Sequence, residues 1–237
     1  MVKIVCVEPT AYFDFDTSSD TLLHKIEKAA RTCYRSEAGN KPAAQFIAGL
    51  IQKGHESVIE HSSLTATVVC SRSCSHQIVR HRLCSYSQES QRYVNYANAG
   101  YEIILPPEIE LKDKALCSVY MSSLERSIEA YEEMIGSGIK PEDARYLLPN
   151  AFSTRIVMTA NLRTWRHIFA LRALNPHAQW EIRQCMEQLL SKAINYMPCC
   201  FKDMLEPTDS DVLRALEAAG VDNWDGYSIA YQALKRD

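Results

Sequence analysis

The chain has 237 residues, 46% of them hydrophobic, enough to bury a sizeable core as one large domain with an appendage. Its formal charge of -3 at pH 7 argues against a dedicated nucleic-acid or membrane-surface protein, while leaving room for a local basic patch that takes an anion. No apolar stretch is long enough to span a bilayer, so a soluble, cytoplasmic protein is expected.

The opening run MVKIVCVEPT carries one lysine and soon meets Asp14 and Asp16, so Val2–Val7 reads as a first strand and not as a cleaved signal. Ser19–Tyr34 sets Leu22, Leu23, Ile26 and Ala30 at helical spacing behind polar cap residues. Pro42–Ile51 predicts a second helix that stops before Gly54. Leu64–Cys70 is β-branched and predicts a strand, Ser71–Arg82 fits a helix, and serine-rich Cys84–Ser90 reads as a loop. Tyr101–Leu105 is a short strand closed by Pro106 and Pro107. Ala115–Ile135 aligns Leu116, Val119, Tyr120, Leu124, Ile128, Tyr131 and Ile135 in one stripe, which predicts a long helix. Phe152–Arg172 and Ala178–Met197 both carry helical patterns, parted by Leu174, Asn175 and Pro176. In the tail, Ser210–Ala218 and Ser228–Lys235 read as helices. The expected class is α/β, with a core over residues 1–206 and a C-terminal helical extension over 207–237.

Nine cysteines include no CxxC pair. Cys70, Cys74 and His76 come nearest to a metal set but lack a fourth ligand at familiar spacing, so reduced, buried thiols and no metal are expected.

Chemistry concentrates in QIVRHRLCSYSQESQRYVNY, from Gln77 to Tyr96. Between Arg72 and Arg92 four arginines face a single acid, Glu89, and Tyr86, Tyr93 and Tyr96 are interleaved with them. Guanidinium forks beside aromatic surfaces suit a phosphate with a stacked base or flavin, and Ser87 and Ser90 add hydroxyls. The plainer reading is a set of solvated or paired arginines, with Glu60, Glu89 or Glu181 as the partner. A nucleotide or single-stranded nucleic-acid binding module without redox activity would use the same donors, although the acidic remainder disfavours it. His81, flanked by two cations, is expected to be neutral. Ser90 has no neighbouring base in sequence and is not read as a nucleophile.

Arg80-His81-Arg82, seven residues, then Ser90, continuing as Gln91-Arg92-Tyr93, resembles the signature of the flavin-dependent thymidylate synthases (the ThyX family). GHESVIEH at Gly54–His61, Ala144-Arg145 with Leu148-Pro149, Asn161-Leu162-Arg163, and Leu171-Arg172 with HAQWEIR at His177–Arg183 resemble further family segments in the same order. The chain has one residue more than the common spacing before HAQWEI, and the resemblance runs from Val2 to about Met204.

The resemblance implies a fold with a central mixed sheet and long helices, and the missing GxGxxG agrees with a non-Rossmann protein. It implies reductive methylation of dUMP to dTMP, with methylenetetrahydrofolate as carbon donor and FAD reloaded by NADPH or NADH. By matching positions, Gln77, Arg80, Gln88, Ser90, Gln91, Arg92, Arg145 and Arg172 are the expected nucleotide site. Ser57, Arg80, His81, Arg82, Asn161, Arg163 and His167 are the expected FAD site. Here His167 stands where some members have asparagine, and Gln88 where others have glutamate. Arg172, Arg80 and Ser90 are the residues expected to serve catalysis. The family is a homotetramer with active sites shared between subunits, and neither nucleic acid nor membrane is an expected partner.

Overall fold

Alternating burial, one side chain in and the next out, marks the strands that build the core. The computed structural model describes residues 3–33, 35–37, 39–205, 212–213, 216–217 and 220. Its strands are β1 (Ile4–Cys6), β2 (Thr10–Asp14), β3 (Ser63–Ser71), β4 (Ser85–Gln88), β5 (Tyr101–Ile103) and β6 (Ser153–Asn161). An antiparallel sheet runs in the order β2-β3-β6-β4, and β1 pairs in parallel with β5. Both pairing senses therefore occur, in separate sheets.

The longer helices are α1 (Ser19–Thr32) and α2 (Ala43–Gln52), followed by the short α3 (Arg72–Ile78), α4 (Tyr96–Ala99) and α5 (Pro107–Lys112). The longest, α6 (Lys114–Gly136), precedes α7 (Pro141–Ala144), α8 (Leu162–Arg172), α9 (Trp180–Tyr196) and α10 (Pro198–Phe201). Three-residue to six-residue 3-10 turns lie at Glu56–His61, Arg145–Leu147 and Lys202–Leu205.

Local chemistry starts the helices. Ser18 caps α1 by accepting from the Thr21 amide at 3.3 Å, and Gln179 caps α9 by accepting from Glu181 and Ile182 at 3.1 and 3.3 Å. Helix α9 lies against β2 and β3, burying Ile182, Cys185, Met186, Leu189, Leu190 and Ala193. Its polar side is stitched to β2, because the Gln188 side chain bonds the Ala11 amide at 2.8 Å and the Pro9 carbonyl at 3.1 Å. A second, smaller core gathers Tyr96, Tyr101, Ile128, Tyr131, Ala144 and Phe152 where α6 meets β5.

Trp165 on α8 is fully buried and donates its indole N–H to the Leu64 carbonyl at 3.0 Å, with Phe169 stacked at 5.5 Å. Trp165→Ala removes that ring and its hydrogen bond, so a loss of about 3–5 kcal/mol is expected, read as a lowered midpoint in denaturant unfolding.

Three sequence expectations change. Phe152–Arg172 is not one helix: its first half is β6, with burial alternating through Ile156, Met158 and Ala160, and only Leu162–Arg172 is helical. Cys84–Ser90 is not wholly loop, because Ser85–Gln88 pairs with Ile156–Thr159. Tertiary pairing here overrides the low strand propensity of serine. Helix α3 ends at Ile78, leaving Arg80, His81 and Arg82 on a turn. The α6 stripe is buried at Leu124, Ile128 and Tyr131, whereas Leu116 and Val119 are 53% and 63% exposed. The tail helices expected over Ser210–Ala218 and Ser228–Lys235 lie outside the described residues, apart from the helical pairs 212–213 and 216–217.

Candidate functional site

The turn after α3 is built from both sides. Ser71 caps α3 by accepting from the Cys74 amide at 3.0 Å, and its own amide and hydroxyl donate to the buried Glu181 carboxylate at 2.5 and 2.6 Å. At the other end, the Tyr86 hydroxyl on β4 sits 2.8 and 2.9 Å from the Ile78 and His81 carbonyls. Helix α8 starts at Asn161, whose side-chain oxygen accepts from the Thr164 amide at 2.8 Å. These two elements face each other across a cavity of about 660 Å³, lined by Arg80, His81, Arg82, Asn161, Arg163, His167 and Arg172, with Glu60, Leu83, Thr164 and Leu171.

Electrostatics in this cavity are one-sided. Arg163 is paired with Glu60 at 2.6 Å. Among the described residues no carboxylate pairs with Arg80, Arg82 or Arg172, so their charge is available to an anion. Arg172 Nε donates to His81 Nε2 at 3.2 Å, a contact that needs an imidazole unprotonated at that atom. The His81 pKa is lowered to about 4, first by burial, then by Arg172 and His167. The flanking arginines predict a neutral imidazole from sequence; in the fold it is burial, then a cation 91 residues away, that keeps it so. The His81 and His167 rings meet edge to face at 6.5 Å.

A second cationic group forms elsewhere on the chain. The turn after β4 places Ser90, Gln91 and Arg92 near the 3-10 turn that begins at Arg145, because Arg92 Nη2 pairs with Glu142 Oε2 at 3.1 Å and Arg145 Nε donates to the Glu142 carbonyl at 3.0 Å. Ser90 Oγ accepts from the Arg92 amide at 3.2 Å. None of these four lines the cavity between the arginine turn and α8. Gln77 is half-buried on α3, and Gln88 turns inward, donating to Ser75 Oγ at 3.0 Å. Ser57 is exposed on the 3-10 turn that supplies Glu60. The structure thus brings together all the predicted flavin residues except Ser57, adds Arg172, and gathers Ser90, Gln91, Arg92 and Arg145 separately.

The acids named from sequence as neutralising partners behave otherwise. Glu60 takes Arg163, Glu181 takes Ser71, and the Glu89 carboxylate accepts from the Tyr96 hydroxyl at 2.6 Å. Glu142, fifty residues from Arg92, carried no local signal. Also missed was Arg166, which joins Asp203 bidentately at 2.7 Å and Glu56 at 3.0 Å behind the cavity; its spacing from Arg163 along α8 was the available clue.

Ligand atoms of Cys70, Cys74 and Glu181 lie within 4.8 Å of one another in the core. Both Glu181 oxygens are already held by Ser71, and hydrogen bonding to Cys185 and Cys70, together with burial, pushes the Cys74 thiol strongly up. These donors are committed within the fold, and we assign no ion to them.

Residues 18–199 match the family model described as thymidylate synthase complementing protein. A second model, described as phage T7 gp5.9 RecBCD inhibitor, matches residues 208–237. The flavin-dependent thymidylate synthase of Geobacter sulfurreducens is 39% identical over 187 residues, covering 75% of this chain and 80% of its own. That of Pyrococcus abyssi is 43% identical over 142 residues, covering 59% and 57%. The fold is similar to that of the UMP/dUMP methylase PolB from Streptomyces cacaoi, crystallised with 5-Br dUMP, with a TM-score of 0.70, 24% identity, and coverage of 85% of this chain and 96% of that one. The matched segment spans the turn at Arg80–Arg82, β6 and α8, and on that span the chain belongs to the flavin-dependent thymidylate synthase family.

Proposed function

We propose that the protein methylates dUMP reductively to dTMP, with methylenetetrahydrofolate as carbon donor and FAD reduced by NADPH or NADH. The observation that carries this reading is the cavity between the Arg80–Arg82 turn and α8, where Arg80, Arg82 and Arg172, without carboxylate partners among the described residues, surround a neutral His81. That donor set fits a flavin dinucleotide. Arg80 and Arg82 match a pyrophosphate, with Arg163, paired to Glu60, beside them, while His81 and His167 offer ring faces and hydrogen-bonding nitrogens. Reduced flavin, when bound, supplies the hydride.

The chain's own residues hold and polarise. Arg172, fixed against His81, offers a donor to a uracil carbonyl where negative charge develops as carbon 5 becomes nucleophilic, and Arg80 orients the same base. Ser90, Gln91, Arg92 and Arg145 take the nucleotide phosphate. In one chain these two groups do not share a cavity, and a homotetramer joins them by setting the Ser90–Arg92 turn of one subunit beside the cavity of another. Uncovered apolar side chains beside both groups support this, with Leu83 81%, Tyr93 79% and Tyr146 83% exposed. Ser90→Ala is expected to weaken dUMP binding about tenfold by removing one phosphate contact, measured by titration calorimetry.

The core ends near residue 206, and residues 207–237 are an extension outside the catalytic unit. The break between the two matched family models, at residues 199 and 208, supports this. Deleting residues 207–237 is expected to leave thymidylate formation within about twofold of the full chain. The cytoplasm is the proposed compartment, where buried thiols such as Cys74 and Cys185 stay reduced. No helix among the described residues is long and apolar enough to cross a membrane.

The decisive assay incubates the purified protein with dUMP, methylenetetrahydrofolate, FAD and NADPH and measures dTMP. Product with flavin bands in the visible spectrum upholds the proposal; nucleotide binding without flavin or product replaces it with a binding module.

A further inference from the structure

Arg72 opens α3, and its backbone amide donates to the Phe152 carbonyl at 2.9 Å, which fixes the start of the side chain against β6. The side chain does not run out to solvent. Its Nη2 donates to the backbone carbonyl of Glu89 at 2.7 Å, while its Nε is buried and has no hydrogen-bond partner among the described residues. A guanidinium held this way costs free energy that an aliphatic side chain filling the same space would not, since a buried donor without an acceptor forfeits its hydration. Such a cost persists where the remaining bond fixes something else in place.

What it fixes is the residue immediately before Ser90. The Glu89 amide donates to the Arg155 carbonyl at 2.9 Å, and the Glu89 carboxylate accepts from the Tyr96 hydroxyl at 2.6 Å. Tyr96 is buried, and its amide donates to the Tyr131 hydroxyl at 3.4 Å. The Glu89–Tyr96 bond therefore closes the base of the loop that carries Ser90, Gln91 and Arg92, and Arg72 anchors its Glu89 end. Inside the loop the Tyr93 and Val94 amides reach the Ser90 carbonyl and the Arg92 amide reaches Ser90 Oγ, while the exposed Arg92 side chain pairs with Glu142. The feet of the loop are held by the contacts of Glu89 with Arg72 and with Tyr96.

We infer that Arg72 is the positioning residue of the nucleotide loop, holding Glu89 so that Ser90 and Arg92 are presented together to the phosphate of the substrate. The inference rests on the assignment of Ser90–Arg92 to dUMP. It goes further by making a side chain outside the binding set responsible for the geometry of that set.

The test compares Arg72→Gln, Arg72→Lys and Tyr96→Phe with the wild type, as full chains loaded with FAD. The readouts are KM for dUMP, kcat, flavin content and thermal midpoint. Arg72→Gln is expected to raise KM for dUMP at least about tenfold with flavin content unchanged, because the loop loses its anchor while the flavin cavity does not. Arg72→Lys, which keeps one donor within reach of the Glu89 carbonyl, is expected to recover a substantial part of that loss. Tyr96→Phe opens the base of the loop at its other foot and is expected to raise KM about threefold; if Arg72→Gln does not fold, Arg72→Lys carries the test through the size of its KM change. An unchanged KM in Arg72→Gln, or a KM rise matched by equal loss of flavin and thermal stability in every variant, would overturn the inference. Wild-type protein that binds no dUMP would instead overturn the functional reading beneath it.

Discussion

Arg172→Ala is expected to cut turnover about 100-fold or more while the protein keeps its flavin. The guanidinium sits in the cavity with no carboxylate partner among the described residues, and its Nε is aimed at His81. Alanine removes a donor organised before reaction, so the loss falls on kcat and on dUMP binding. Flavin retention is expected because Arg80, Arg82 and Arg163 remain. A second readout needs no turnover. Arg172 is one of the charges that hold the His81 pKa near 4, so in the variant that value is expected to rise, while burial keeps it below the ordinary 6.5. Histidine titration by NMR measures this directly.

The same depression sets a pH limit. His81 binds a proton less readily in the folded chain than in the unfolded one, so the folded state loses stability as pH falls from about 6.5 toward 4. With Arg172 gone, that acid limb is expected to begin at the same pH, near 6.5, but to end at a higher pH and to be smaller, and denaturant unfolding at a series of pH values would show it.

Glu181→Ala is expected to cost about 3 kcal/mol, because it leaves the Ser71 amide and hydroxyl without the charged acceptor that satisfies both. The damage should travel. Ser71 caps α3, so flavin affinity is expected to fall along with the unfolding midpoint, although Glu181 touches nothing in the cavity. Glu181→Gln, which keeps one acceptor, is expected to lose less. Burial raises the Glu181 pKa while the Ser71 bonds oppose the rise, so its proton is held more tightly in the folded chain. That term favours folding below the ordinary carboxylate range and fades as pH climbs through the raised value. In Glu181→Gln the dependence is expected to vanish.

Much of the helical framework could be read from spacing alone. The stripes through Leu22, Leu23 and Ile26 and through Leu124, Ile128 and Tyr131 repeat at the helical period and are buried as expected. Strand β6 could not be read this way, because Ile156, Met158 and Ala160 at every second position pass directly into Leu162, Trp165 and Phe169 at helical spacing, and the joined pattern looks continuous. Strand β4 was hidden by its serines, since its partner β6 and not its own composition makes it a strand. At the site, Arg80, His81 and Arg82 announce themselves as neighbours in sequence. Their neighbours in space, Arg172 against His81 and Glu142 against Arg92, are separated by 91 and 50 residues and follow only from the fold.

Because Ser63 lies opposite Asn161 and Ser85 opposite Thr159, β6 serves as a ruler against which both walls of the cavity are measured. A slip of two residues along it would leave every side chain on its proper face, yet would carry Asn161 and all of α8 about 7 Å past the arginine turn. Length changes are therefore tolerable in the outlying connections of this chain but not within that one strand.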